Sequence, residues 1–134
     1  MKSVIVDTDV FSNLWQNAPA TSGYAAHLVG AVPVISFTTV AEVYFGAEKK
    51  GWGQRRVDQL EEAMRRYVVA PYDHDLARLW GRLKSQAQRA AHPLGQNTET
   101  NDLWICATAI YYNAPLLTLN RRHFENFPGL VLLS

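Results

Sequence analysis

Three carboxylates, each beside its own apolar segment, are the residues of this chain best placed to do chemistry. Asp7 follows Val4-Ile5-Val6. Glu42 sits within Thr38-Thr39-Val40-Ala41-Glu42-Val43, and Asp102 opens Asp102-Leu103-Trp104-Ile105-Cys106-Ala107-Thr108-Ala109. A lone ionised carboxylate is costly to bury, so acids in such places are paired, hydrogen-bonded or bound to a metal. If the fold brings the three together, their mutual repulsion calls for a cation. Hard divalent cations prefer oxygen ligands, polarise a phosphoryl oxygen and lower the pKa of a bound water. The chemistry in view is metal-dependent phosphodiester hydrolysis. Taken singly, each acid reads equally well as a helix cap.

The elements that must position these acids follow from the apolar pattern. Lys2 to Val6 is short and β-branched, a buried strand. Asp7-Thr8-Asp9 offers N-caps for a helix over Val10 to Gln16, which Asn17-Ala18-Pro19-Ala20 breaks. Thr21 or Ser22 caps a second short helix through Val29. Val32 to Phe37 is the next strand, and Thr38 or Thr39 caps a helix running to Lys50, stopped by Gly51. Gln54 to Tyr67 is an amphipathic helix, with Val57, Leu60, Met64 and Tyr67 on one face. Val68 to Ala70 is a brief strand. Asp73 caps a helix through Ala90 with Leu76, Leu79, Trp80 and Leu83 inward. His92 to Thr98 is turn-like. Asn101 to Tyr112 is apolar on most sides and therefore central. Leu116 to Leu119 is a strand, Arg121 to Asn126 a helical turn, and Leu130 to Leu133 a last strand. Strands alternating with helices predict an α/β fold, a parallel sheet covered on both faces. Sites in such sheets form outside the carboxyl ends of the strands. Asp7 and Asn120 lie at two such ends. Glu42 and Asp102 fall in first turns of helices, where the macrodipole favours negative charge.

The bulk numbers bound the function. A chain of 134 residues, 48% apolar, is expected to form one domain, 1–134, with a packed core. A net charge of +1 leaves nucleic-acid binding to local patches. One cysteine, Cys106, allows no internal disulfide and fits a reducing cytosol. The N-terminal apolar run is too short for a signal peptide, and no stretch approaches the ~20 apolar residues of a membrane span. The expectation is a soluble cytoplasmic protein that does not engage a membrane.

Other clusters read as structure. Asp73-His74-Asp75 is a helix cap, and Cys106 is core packing. His27 and His92 lack ligand spacing and are read as surface residues. Of the basic pairs, Arg121-Arg122 lies at the sheet end beside the acids and is the candidate for holding nucleic-acid phosphates. Among the tryptophans, Trp104 is read as core. Trp52, between Gly51 and Gly53, is read as the exposed one that could stack a base.

Four blocks together resemble a known family. They are Val4-Ile5-Val6-Asp7-Thr8-Asp9-Val10-Phe11-Ser12, Thr39-Val40-Ala41-Glu42-Val43-Tyr44-Phe45-Gly46-Ala47, Asn101 through Ala109, and Leu116-Leu117-Thr118-Leu119-Asn120-Arg121-Arg122-His123-Phe124 with Pro128-Gly129-Leu130. In order and spacing they resemble the PIN-domain ribonucleases, and most nearly the VapC toxins of type II (VapBC) toxin–antitoxin pairs. The resemblance implies a three-layer α/β/α sandwich with a central parallel sheet. It implies cleavage of RNA with Mg²⁺, or Mn²⁺, as cofactor. Asp7 and Asp102 would be direct metal ligands, and Glu42 would bind metal through water or deprotonate the attacking water. It also implies a cognate VapB-like antitoxin that inhibits the toxin, a homodimer or toxin–antitoxin hetero-oligomer, and contact with DNA only through the antitoxin. Leu14, Trp15, Tyr44 and Phe45 could line a groove for the partner's helix.

The chain departs from the pattern in its tail. Where the family often has a further acid stands His123, preceded by Asn120. Asn120 can offer an amide oxygen or hold an acid by hydrogen bonds. His123 reads as a helix-surface residue beside Phe124, or as a phosphate contact or acid. The departure leaves a second metal ion open. Asp9 reads as the helix N-cap, or as an extra carboxylate near the metal; Glu99 and Thr100 read as caps of the helix that holds Asp102, and Glu99 could alternatively reach the edge of the site. Two competing readings remain: a PIN domain that binds RNA or a partner without cutting, and a haloacid-dehalogenase-like phosphatase with Asp7 as nucleophile. The second fits only Asp7-Thr8-Asp9-Val10, since no downstream Gly-Asp pair exists.

Overall fold

The structure is a computed structural model that describes residues 2–16 and 23–133. The first apolar run forms β1 (Ser3–Val6), and at Asp7 the chain turns into α1 (Thr8–Trp15). Asp7 is itself the N-cap, accepting the Thr8 amide at 2.7 Å. The break at Asn17–Ala20 and the caps at Thr21 or Ser22 lie outside the described residues. The helix expected through Val29 is a single 3-10 turn, Ala25–Leu28. Val29 is already extended and Gly30 takes a positive φ of 73°, so the turn cannot propagate.

β2 (Val32–Ser36) leads into α2 (Phe37–Lys49). The cap is Ser36, whose hydroxyl accepts the Thr38 amide at 3.1 Å, and not Thr38 or Thr39. Both threonines are buried within the helix, and Glu42 lies in its second turn rather than its first. Gly51, at φ 67°, ends the segment as expected. α3 (Gln54–Met64) buries Leu60 and Met64 but stops short of Tyr67, and β3 (Val68–Ala70) follows. α4 (His74–Arg89) starts at Asp73, which accepts the Asp75 amide at 2.8 Å, so Asp73-His74-Asp75 is a cap. Two 3-10 turns, Pro93–Gly95 and Asn97–Glu99, lead to α5 (Thr100–Tyr111), then β4 (Leu116–Leu117) and α6 (Arg121–Phe124). The final strand expected over Leu130–Leu133 reduces to one parallel bridge, Leu132 to Leu116. β4 is two residues long and offers the tail only its Leu116 N–H and C=O.

The four strands are parallel, in the order β3-β2-β1-β4. Side chains alternate across them. Ile5 and Leu116 face a core with Leu76, Leu83 and Leu103, beneath α4 and α5. Val4, Val6 and Leu117 face a second core with Phe11, Val43 and Leu60, beneath α1, α2 and α3. This is the α/β/α sandwich with both sheet faces covered, which is why the strands read as continuous apolar runs.

At Gly95 an added Cβ would meet the Gln88 amide nitrogen at 2.8 Å, so the turn lies directly on the end of α4. Cys106, one turn along α5 from Asp102, is wholly buried, and burial pushes its thiol up to about 12. Among the described residues, no helix is long and apolar enough to cross a membrane.

Candidate active site

β1 is the strand at which the order reverses, with β2 on one side and β4 on the other. In an open parallel sheet the crevice forms at such a switch point, outside the carboxyl ends. Asp7 stands at the end of β1, and Thr118 and Asn120 follow β4.

Asp7 is 3% exposed. One oxygen accepts the Thr8 amide at 2.7 Å and the other accepts the Thr118 hydroxyl at 2.6 Å. Thr118 is oriented in turn by the Asn120 backbone amide, which donates to it at 2.9 Å. Burial raises the Asp7 carboxyl to about 7; the Thr118 and Thr8 hydrogen bonds oppose that, while the charges of Asp102 and Asp9 add to it. Thr8 also reaches Glu42. Its hydroxyl donates to the Glu42 carboxylate at 2.8 Å and lies 2.9 Å from the Thr39 hydroxyl, which must then donate to it. Glu42 is half-buried, and burial raises its pKa, with the Thr8 and Asn101 hydrogen bonds acting the other way. Thr8 therefore ties two of the three predicted acids together, through its backbone and its side chain.

Asp102 is the third residue of α5. Burial raises its carboxyl to about 6; the hydrogen bond from His123 lowers it, and neighbouring Glu99 raises it. His123 is not a bystander on a helix surface. Its Nδ1 lies 3.1 Å from an Asp102 oxygen, 3.1 Å from a Glu99 oxygen and 2.9 Å from the Asn120 amide. Its pKa is raised, chiefly by the Asp102 hydrogen bond. One ring nitrogen has a single proton. When Nδ1 donates to a carboxylate, the Asn120 amide must turn its oxygen toward it; when Nδ1 is bare, it accepts from the amide nitrogen. Glu99 is the residue before α5, but its side chain caps nothing. Its carboxylate belongs to this cluster.

Several predicted residues fall elsewhere. Asp9 does not cap α1; it is exposed in the first turn, where its charge is felt by Asp7 and Glu42. Arg121 is exposed, but its guanidinium donates to the Leu133 carbonyl at 2.8 Å. Arg122 is exposed beside it. Trp52 is only half-exposed and packs on Trp15 with ring centroids 5.4 Å apart. His92, read as a surface residue, is half-exposed but held at both ring nitrogens: its Nδ1 accepts the Leu94 amide and its Nε2 contacts the Glu125 carbonyl. Thr8 and Thr118 were missed as site residues, and Glu99, read as a cap that could reach the edge of the site, is in the cluster itself. A hydroxyl or carboxylate gives no sequence signal for its direction, which here comes from neighbouring strand ends.

The donor set suits a divalent cation. Glu99, Asp102 and His123 present ligand atoms within 4.8 Å of one another. Asp7 adds a buried carboxylate that senses Asp102, and Glu42 is joined to it through Thr8. These carboxylates are raised by burial and by neighbouring acids, no lysine or arginine is among the groups shifting them, and His123 is the one basic group that opposes the rise, at Asp102; a cation would ionise them together.

Comparison with known proteins bears on this arrangement. Residues 4–130 match the family model described as PIN domain. The ribonuclease VapC2 of Haemophilus influenzae is 31% identical over 96 residues, 72% of this chain and 70% of that protein. The tRNA(fMet)-specific endonuclease VapC of Shigella flexneri is 28% identical over 130 residues, 97% of this chain and 96% of that protein. Among solved structures, a DNA-bound VapBC from Salmonella typhimurium superposes with a TM-score of 0.83 at 25% identity, over 99% of this chain and 98% of that one.

Proposed function

The chain belongs to the PIN domain family, and from that premise we propose that it is a VapC-like toxin: a metal-dependent endoribonuclease held inactive by a VapB-like antitoxin. The observation that carries the reading is the cluster of Glu99, Asp102 and His123 near the β1–β4 switch point, with Asp7 close enough to feel the charge of Asp102 and Glu42 tied to Asp7 through Thr8. Asp7 and Asp102 would hold Mg²⁺ or Mn²⁺ directly. Glu99 and His123 would complete the set, and the imidazole nitrogen favours Mn²⁺ over Mg²⁺. When bound, the ion supplies a polarised phosphoryl oxygen and a water of lowered pKa.

The remaining roles fall to the protein's own groups. Glu42, held by Thr8, orients the attacking water and takes its proton. Thr118 and the Thr8 amide each hold one carboxylate oxygen of Asp7 and so fix its orientation. Asn120 and His123 orient Asp102 and Glu99. Arg122 is the basic residue of the tail pair free to meet an RNA phosphate, since Arg121 braces the C-terminal segment. The non-cleaving alternative rests on His123 standing where a further acid is usual; Glu99 supplies a carboxylate at that point.

The solved neighbour from Salmonella is a toxin–antitoxin complex on DNA, which supports an antitoxin partner for this chain. Phe45 is 67% exposed beside Tyr44 on α2, an apolar surface suited to a partner helix. Trp15 is turned toward Trp52 instead.

The test is direct. Purified protein with Mn²⁺ or Mg²⁺ should cut RNA internally, EDTA should stop it, and Asp7→Asn or Asp102→Asn should lower the rate by ~10³-fold or more, the scale of losing an electrostatic or metal-ligating catalytic group. Cleavage that survives both the chelator and Asp7→Asn would overturn the reading.

A further inference from the structure

A recess of about 140 Å³ lies between α1, α2 and α3 and opens beside Glu42. We propose that it is the subsite for one unpaired nucleobase of the RNA strand, next to the bond that is cut. The proposal rests on the endoribonuclease reading and extends it to substrate choice.

Four observations carry it. The recess shares Glu42 and Thr8 with the acid cluster, so an occupant sits within one residue of the reacting phosphate. Its wall includes the paired indoles of Trp15 and Trp52, 5.4 Å apart and inclined at 52°. Aromatic faces stack any base, and such stacks are a recurring device of single-strand recognition. Two cations lie over these rings in the free protein: Lys50 Nζ is 5.5 Å from the Trp52 centroid, and the Arg56 guanidinium is 4.6 Å from that of Trp52 and 5.1 Å from that of Trp15, so a base stacking on the face Arg56 covers takes its place. Both cations are on exposed residues, where they can meet the phosphate that follows the base. Last, Ser12 and Gln16 line the recess and bring a hydroxyl and an amide, donors and acceptors that can read a base edge.

The shape selects the class of ligand. A recess this small cannot admit a duplex, whose bases are stacked and paired, but it can take one base turned out of a loop or single strand. Charge selects it too. Acids that call for a metal stand at one end and cations at the other, as a metal-bound scissile phosphate followed by a free one requires. A separate groove, lined by Val40, Tyr44, Tyr67 and Val69 among others, shares no residue with the recess.

The experiment uses the full chain with Mn²⁺ and a set of short single-stranded RNAs varied at the nucleotide flanking the cut. Three proteins are compared: unaltered, Trp52→Leu and Gln16→Ala. In parallel, the inactive Asp7→Asn protein is titrated with RNA carrying 2-aminopurine at the flanking position, read by fluorescence quenching. Trp52→Leu should raise KM roughly 5- to 150-fold, the loss of one base–aromatic stack, with kcat within about threefold, the mark of lost uniform binding. Gln16→Ala, at an exposed position, should change the ratio of cleavage among the four flanking bases. The 2-aminopurine should be quenched by Asp7→Asn and not by its Trp52→Leu double variant. Cleavage with KM and base preference unchanged in both variants overturns the subsite while leaving the nuclease reading intact. Weakened antitoxin capture with unaltered RNA cleavage also overturns it and assigns the recess to a protein segment. No cleavage by the unaltered protein, with quenching retained, overturns the nuclease reading and supports the base subsite. Neither cleavage nor quenching overturns both.

Discussion

Asp7 serves two ends that pull against each other. As a cap it starts α1, and as a buried carboxylate beside other acids it is costly to ionise. Its pKa of about 7 lies above the usual 3.8. The folded, metal-free protein therefore keeps a proton that the unfolded chain has already released. By linkage, stability of the metal-free protein falls as pH rises from about 4 to about 7 and levels off above that. For a group moved this far the cost at high pH is on the order of 4 kcal/mol. Asn also caps well. Asp7→Asn should therefore leave the metal-free melting temperature at pH 8 unchanged or several degrees higher, while Mn²⁺ binding by calorimetry is lost. A melting temperature several degrees lower would mean that the carboxylate stabilises the fold and that its pKa is not raised.

At the scale of elements, the site depends on where short segments are pinned. The turn Pro93–Gly95 rests on the last turn of α4 because residue 95 has no Cβ, and the next turn carries Glu99 to His123. Gly95→Ala should cost about 1–3 kcal/mol, the usual price of overpacking, and should weaken Mn²⁺ binding by shifting Glu99. Unchanged thermal unfolding together with unchanged Mn²⁺ titration would refute this coupling. The same segment shows how much of the site is legible in the sequence. β1, α4 and α5 are readable because apolar runs, periodicity and caps are local properties of the chain. Asp7, Glu42 and Asp102 are readable as acids out of place among apolar neighbours. Glu99 looks like a cap because it precedes a helix. Only the approach of α6, carrying His123, makes it part of the site. Thr118 joins through a strand register that parallel pairing sets from afar. Ser36 displaces the two threonines as cap of α2 because the strand ends one residue earlier than Phe37 suggests.

Over the whole molecule, a single sheet divides two apolar layers, and the crevice proposed as the active site lies at the rim where both layers end. Asp7 is buried at that rim, Glu42 and Asp102 are half-buried, and the apolar residues behind them are fully enclosed. Cys106 belongs to the enclosed part, at 0% exposure and one turn from Asp102. Its thiol stays protonated at any physiological pH, so in the closed protein it neither alkylates nor oxidises. That silence makes it a built-in clock. A reagent can reach the sulfur only when α5 lifts from the sheet, so labelling under native conditions counts those openings. A ligand that binds only the closed form should cut the labelling rate to the fraction of protein left unliganded, about 100-fold at 100 times its dissociation constant. Iodoacetamide labelling followed by mass spectrometry would read Mn²⁺, RNA and antitoxin on one scale, without any cleavage assay. Labelling as fast as that of a free peptide thiol would show that the layer behind the acids is not closed at all.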